Sequence, residues 1–233
     1  MLKFPNRLSW LYLNSINILN TDAENKIAAF AKAFEPFVPQ GTAEMLGRWI
    51  IHFNFDLKIT QVRQSKFGDY RPPHKGKRHQ ITVNGNLNPY AFLVTLVHEI
   101  AHLTTHEKFG HHIKPHGTEW KEQFRLLMEP FFQKQIFPHG LSISLRKYLQ
   151  NAAASSCTDE DLYRALKQFD KPGEKFVHVE DIPLHSVFKF GKNRYFRKGE
   201  RIRKRYKCVE MNSGHQYLFN PLAEVILVQG GLF

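Results

Sequence analysis

Asn88-Pro89-Tyr90-Ala91-Phe92-Leu93-Val94-Thr95-Leu96-Val97-His98-Glu99-Ile100-Ala101-His102-Leu103 is the stretch that decides the fold. Asn88 and Pro89 open a helix, because proline suits a first turn whose N–H groups lack partners anyway. Phe92, Leu93, Leu96, Val97, Ile100 and Leu103 spread a broad apolar surface around it, so the pattern predicts a central helix ending near Gly110. His98 and His102 are four apart, hence one turn apart on one face. Two imidazoles so placed can reach one metal ion. Glu99, beside the first, can face the ion's open side and take a proton from bound water. The plainer alternative is a pair of core or surface histidines. Burying two histidines and a glutamate on an apolar helix without a partner is costly, which weighs against it.

A hydrolytic zinc site needs a third protein ligand and one open position. His106 continues the spacing but sits two turns from His98, roughly 12 Å along the axis. Three successive turns of one straight helix cannot converge on one ion. The metzincin arrangement is also excluded, since Thr105 and Lys108 stand where it needs Gly and His. The third ligand must come from a chain reversal after Gly110. His116 is the expected one, placed before Gly117 and a helix that Thr118 is expected to cap. Glu119, His112 and His111 remain alternatives, and Glu119 would make a carboxylate-ligand site.

Outward from this helix, a Thr21-Asp22 capped helix runs to Pro36, and Thr42 to Phe53 reads as a second. Leu57 to Arg63 and His79 to Val83 have strand character. Gly68 and Pro72-Pro73 mark loops, and Asn84-Gly85 a turn. Downstream, Thr118 to about Phe132 is helical, with Trp120, Phe124, Leu127 and Met128 as its apolar set. Residues 133–170 are helical but less regular, including Leu145 to Ala154 and a Thr158-capped segment. After a Pro172-Gly173 break, short β runs appear at Ser186–Phe190, Arg194–Phe196, Arg201–Val209, Gln216–Phe219 and Val225–Val228. Phe188, Phe190, Phe196, Tyr206, Phe219, Ile226 and Val228 are their candidate core.

The 233 residues are 42% apolar, enough for a real core and against a mainly disordered chain. Cys157 and Cys208 alone cannot build a disulfide framework or a four-cysteine zinc site. No run approaches the roughly 18 apolar residues of a membrane helix. Met1 to Asn20 carries Lys3, Arg7 and an apolar Leu8–Leu13. Asn14, Ser15 and Asn17 interrupt it and no small-residue cleavage site follows, so it is expected to be a non-secreted leader. The formal charge of +12 is concentrated. Residues 57–80 hold seven Lys/Arg against one acid, and residues 189–207 hold ten against one, which leaves the rest slightly acidic. Read as one strand, the second window puts Arg201, Arg203, Arg205 and Lys207 on one face. With Arg194, Arg197 and Lys198, and with Tyr195 and Phe196 nearby, these are candidate nucleic-acid contacts. No readout motif is visible, so binding would not be sequence-specific. The blander reading is a charged edge strand guarded against aggregation.

Thr95-Leu96-Val97-His98-Glu99-Ile100-Ala101-His102, followed by Pro115-His116-Gly117-Thr118-Glu119-Trp120, resembles the SprT-like metalloprotease domain. Arg63, Lys66, Phe67, Gly68, Tyr70 and Ile81–Leu87 are similar to the strand-and-loop lead-in of that family. The resemblance covers roughly residues 25–135. It implies an α+β, zincin-like fold with an active-site helix and a small sheet, one catalytic Zn2+ on His98, His102 and His116, and Glu99 as general base. The Spartan relatives degrade proteins crosslinked to DNA, so peptide-bond hydrolysis on DNA-associated proteins is the implied activity. Bacterial members commonly end in a cysteine zinc ribbon, which this chain cannot form. The expected organisation is a leader (1–20), the metalloprotease domain (21–135), a helical connector (136–170) and a basic, β-rich, ribbon-like module without metal (171–233). Protein substrates and DNA are the expected partners, no membrane is, and the expected location is the cytoplasm, including the nucleoid. The rivals are a non-catalytic nucleic-acid-binding protein with a structural or vestigial zinc site, and a zinc hydrolase acting on a non-peptide bond.

Overall fold

The computed structural model describes residues 21–61, 63, 66–150, 152, 159–170, 176–191 and 193–228. The leader at 1–20, Cys157, the Thr158 cap and the Pro172-Gly173 break lie outside the described residues. The chain divides into two compact units, one up to Asp170 and one from Lys171.

In the first unit α1 (Thr21–Phe34) and α2 (Ala43–Phe53) precede a three-stranded sheet of β1 (Phe55–Thr60), β2 (Gly68–Arg71) and β3 (His79–Asn84). The strand order is β1-β3-β2, with β3 parallel to β1 and antiparallel to β2. His79, Ile81 and Val83 are buried at alternate positions of β3, the period-2 signature of a strand that faces a core. Gly68, expected in a loop, lies in the edge strand β2.

The long helix α3 (Pro89–Phe109) packs against β2, β3 and the next helix. The Asn88 side chain accepts from the Ala91 N–H at 3.0 Å. Its amide also donates to the Leu166 carbonyl (2.9 Å) and the Asp170 carboxylate (2.6 Å), so one residue both caps α3 and anchors its start. Phe92, Leu93, Leu96, Val97 and Ile100 are fully buried, each contributing about 1.5–3 kcal/mol. The next three helices are α4 (Thr118–Gln133), α5 (His139–Gln150) and α6 (Glu160–Lys167). Thr118 is the first residue of α4 rather than its cap; Gly117 holds that position without a side-chain bond. Asp159 caps α6, accepting from the Leu162 N–H. Leu141, Leu145, Tyr148, Leu149, Leu162 and Leu166 share one core cluster with α3 and α4. The segment read as a connector therefore builds the core.

The second unit is an antiparallel six-stranded sheet: β4 (Phe176–His178), β5 (Val187–Phe190), β6 (Arg194–Ile202), β7 (Arg205–Glu210), β8 (Gln216–Phe219) and β9 (Glu224–Leu227), in the order β4-β9-β5-β6-β7-β8. Phe188, Phe196, Cys208, Phe219 and Val225 form its core with Val179 and Ile182. Phe190 and Ile226 are exposed, unlike the expectation. Ile226 pairs with Lys189 and so shares the face opposite Phe188.

The predicted strand Arg201–Val209 is instead a hairpin. Ile202 pairs with Arg205, and Arg203 turns the chain with φ 55°. Arg201, Arg203, Arg205 and Lys207 therefore do not share one strand face. A bulge between Lys198 and Arg201 sets Gly199 so close to β7 that a Cβ there would lie 2.2 Å from the Lys207 carbonyl oxygen. Among the described residues no helix is long and apolar enough to cross a membrane.

Candidate metal centre and active site

The site is built on α3 and on the loop that follows it. His98 and His102 face the same way, with ring centroids 5.0 Å apart. After Gly110 the chain reverses, and the Gly117 N–H donates to the Lys114 carbonyl at 2.9 Å. Pro115 and His116 are the central residues of that turn, and His116 takes φ 58°. Proline followed by a left-handed residue is the type II turn pattern, and a non-glycine residue there costs on the order of 1 kcal/mol. The turn brings the His116 Nε2 to 3.2 Å from the His98 Nε2, and the His116 ring to 4.6 Å from the His102 ring. The ligand nitrogens of all three lie within 4.8 Å of one another. Trp120, 1% exposed, closes the site with ring contacts to all three at 4.5–5.3 Å. His111, His112, Glu119 and His106 are not in this group. His106 lies near His111, Tyr70 and His79. One other group among the described residues could approach an ion, His178, Glu180 and Asp181 in the second unit.

The donor set suits zinc. Zn–N bonds of about 2.0–2.1 Å at tetrahedral angles place two ligand nitrogens about 3.3 Å apart, close to the His98–His116 spacing. Burial, and then the neighbouring His102 and His116, hold His98 far below the ordinary imidazole range. Burial and then His116 bring His102 down to about 4, and burial also lowers His116. All three are neutral at pH 7, the form that ligates a metal.

Glu99 is 7% exposed and lies against the edge strand β2. The Tyr70 backbone N–H donates to its carboxylate. Burial, and then the Asp69 charge, push Glu99 up to about 8, against the opposing pull of Arg63, Lys66 and that N–H. Gly68 makes room for it: a Cβ there would lie 2.4 Å from Glu99 Oε1. The glycine that reads as a loop marker is thus the floor of the carboxylate's berth. Gly68→Ala is expected to keep the fold and bound zinc but to displace the Glu99 carboxylate, lowering any Glu99-dependent hydrolysis at least 10-fold. Zinc content and turnover measured on the same preparation check this.

The basic windows look different in three dimensions. In the first, Arg63 donates to Asn84 (2.8 Å) and Thr82 (3.0 Å), Lys66 and Arg71 pair with Asp69 (2.7 and 3.0 Å), and Arg78 pairs with Asp56. Four of its cations are therefore engaged within the fold. In the second, Arg194 pairs with Glu210 at 2.6 Å. Lys198 is 4% exposed and donates to the Glu180 (3.0 Å) and Ile182 (2.6 Å) carbonyls, so it is a core residue and no surface contact. Arg201 lies near the Tyr206 ring, on the core side of the sheet. Register puts Lys189, Tyr195, Arg197, Arg205, Lys207 and Leu218 together on the opposite face, with Glu200 in the bulge opposite Lys207. Lys189 was not among the residues singled out from sequence, because only the pairing Lys189↔Tyr195 reveals its face.

Residues 47–155 match the model of the SprT-like family. The match starts inside α2 and runs past α5, so it includes the sheet, all three histidines and Glu99. No curated protein and no solved structure matches the chain.

Proposed function

Residues 47–155 belong to the SprT-like family, whose domains are metalloprotease-like and usually zinc-associated, and we propose on that premise that this chain is a zinc-dependent metallopeptidase that hydrolyses peptide bonds in DNA-associated proteins. The observation that carries the reading is one constellation: three neutral imidazoles within ligand reach and a buried carboxylate beside them. A purely structural metal site has no use for that carboxylate.

His98, His102 and His116 would hold the ion. When bound, zinc supplies Lewis-acid polarisation of the scissile carbonyl and lowers the pKa of a water. The charge of the bound ion would favour the ionised form of Glu99, whose carboxylate then accepts the proton from the attacking water. Glu99 returns that proton to the amine nitrogen as the C–N bond breaks. Burial and the Tyr70 N–H fix where the carboxylate sits. Trp120 excludes water from beneath the ligands. An extended substrate cannot add to β3, because both its edges are paired. The edge strand β2, bonded to Glu99, offers its outer backbone groups instead.

DNA association rests on the second unit. Lys189, Arg197, Arg205 and Lys207 share a face with Tyr195 and have no ion-pair partner among the described residues, which suits a phosphate backbone with base stacking. Neutralising Arg197, Arg205 and Lys207 together is expected to weaken DNA binding and to reduce the slope of log K against log salt by about 2–3. Unchanged affinity and slope would remove this face from the account. The peptidase reading itself is tested by incubating the zinc-loaded chain with a DNA-bound protein. Cleavage should be stimulated by DNA and stopped by a chelator; no cleavage of any protein, including itself, would refute it.

A further inference from the structure

His79 lies outside the three-histidine group yet is joined to it. Its Nε2 is 2.9 Å from the Glu107 carboxylate and its Nδ1 is 2.9 Å from the Tyr70 hydroxyl. A carboxylate only accepts, so the His79 Nε2–H donates to Glu107, and the other ring nitrogen meets the Tyr70 hydroxyl. The Tyr70 ring in turn lies nearly parallel to that of His102, with centroids 6.3 Å apart and planes 7° apart. The Tyr70 main-chain N–H donates to Glu99. One residue of β2 thus touches a candidate metal ligand with its ring, the candidate base with its backbone, and a His79–Glu107 pair with its hydroxyl.

Glu99 and Glu107 are eight residues apart on α3, about 12 Å along its axis. β2 is therefore tied to α3 at two points, and His102 lies between them. Glu107 is 60% exposed at its side chain, so as a stabilising ion pair with His79 it would be weak. Its geometric effect is larger, because it fixes the setting of a buried histidine that holds Tyr70.

We propose that Tyr70 is a positioning residue, held by His79 and Glu107, that sets the orientation of the His102 ring and the distance of β2 from α3, and so the place of Glu99. The proposal rests on the reading that His98, His102 and His116 bind zinc. It is a claim about metal affinity and ligand geometry, and it can be read without any substrate.

The experiment compares the full chain with Tyr70→Phe, Tyr70→Leu and His79→Leu. It measures zinc affinity by chelator competition and the visible spectrum of the cobalt-loaded protein. Phe30→Leu, a core change in α1, serves as a control for general destabilisation. Tyr70→Leu is expected to weaken zinc binding about 10–100-fold and to shift the cobalt bands. Tyr70→Phe keeps the ring and the N–H and should weaken it less. Combining Tyr70→Phe with His79→Leu should add little to the stronger single change, because the two act in series. The control should lower the melting temperature and leave affinity alone. Folded Tyr70→Leu protein with zinc affinity within twofold of the parent and an unshifted cobalt spectrum overturns the proposal. If Tyr70→Leu does not fold, an unchanged affinity and spectrum in both Tyr70→Phe and His79→Leu overturns it. A parent chain that takes up neither zinc nor cobalt refutes the metal reading itself, a result distinct from any difference among the variants.

Discussion

Replacing Glu99 with Gln is expected to lower kcat/KM for peptide hydrolysis about 10²–10⁴-fold while one zinc per chain is retained. Gln matches Glu in volume, and its carbonyl oxygen can still accept from the Tyr70 N–H, so the packing against Gly68 survives. What is lost is the ability to take a proton from water and return it to the leaving amine. Because the metal ligands are untouched, zinc content separates this loss from a loss of the site. A denatured casein probe, with zinc measured on the same sample, distinguishes the two. Glu99→Gln protein that cleaves as fast as the parent would remove Glu99 from the mechanism.

The second large effect is expected at His116. His116→Ala deletes one of three imidazoles while leaving α3, which carries the other two, intact. Structural zinc sites with four ligands bind with about 10–16 kcal/mol, or roughly 3 kcal/mol per ligand, so affinity should fall about 10²-fold or more. Hydrolysis should be lost at ordinary zinc concentrations. Substituting His111 or His112 should do neither, since neither joins the group of three. If His111→Ala or His112→Ala releases zinc and His116→Ala does not, the ligand set is wrong.

These predictions lean unequally on sequence and structure. The course of α3 was legible because Asn88, Pro89 and Gly110 are local signals and the apolar spacing between them is strong. The meeting of His116 with His98 was legible in outline, because ion geometry demands a chain reversal after Gly110. β2 was not legible. Four residues containing a glycine carry little strand signal, and Gly68 is there for the space that Glu99 needs, a requirement set by an element thirty residues away. The hairpin tip was hidden for a different reason: Arg203 takes a left-handed conformation that arginine does not advertise. Lys198 reads as surface charge in a basic run, yet register and a bulge turn it inward to two carbonyls. The same limit applies to charge. The two windows look alike in sequence, but the first is largely engaged by Asp56, Asp69, Thr82 and Asn84.

The central claim is that His98, His102 and His116 hold a zinc ion with a position left open beside Glu99. A crystal structure of the zinc-loaded chain, with the ion located by anomalous scattering, tests it most directly. The account predicts three imidazole ligands from these residues, a non-protein fourth ligand, and the Glu99 carboxylate facing it. A fourth protein ligand that closes the coordination sphere, or an ion bound without His116, would contradict it.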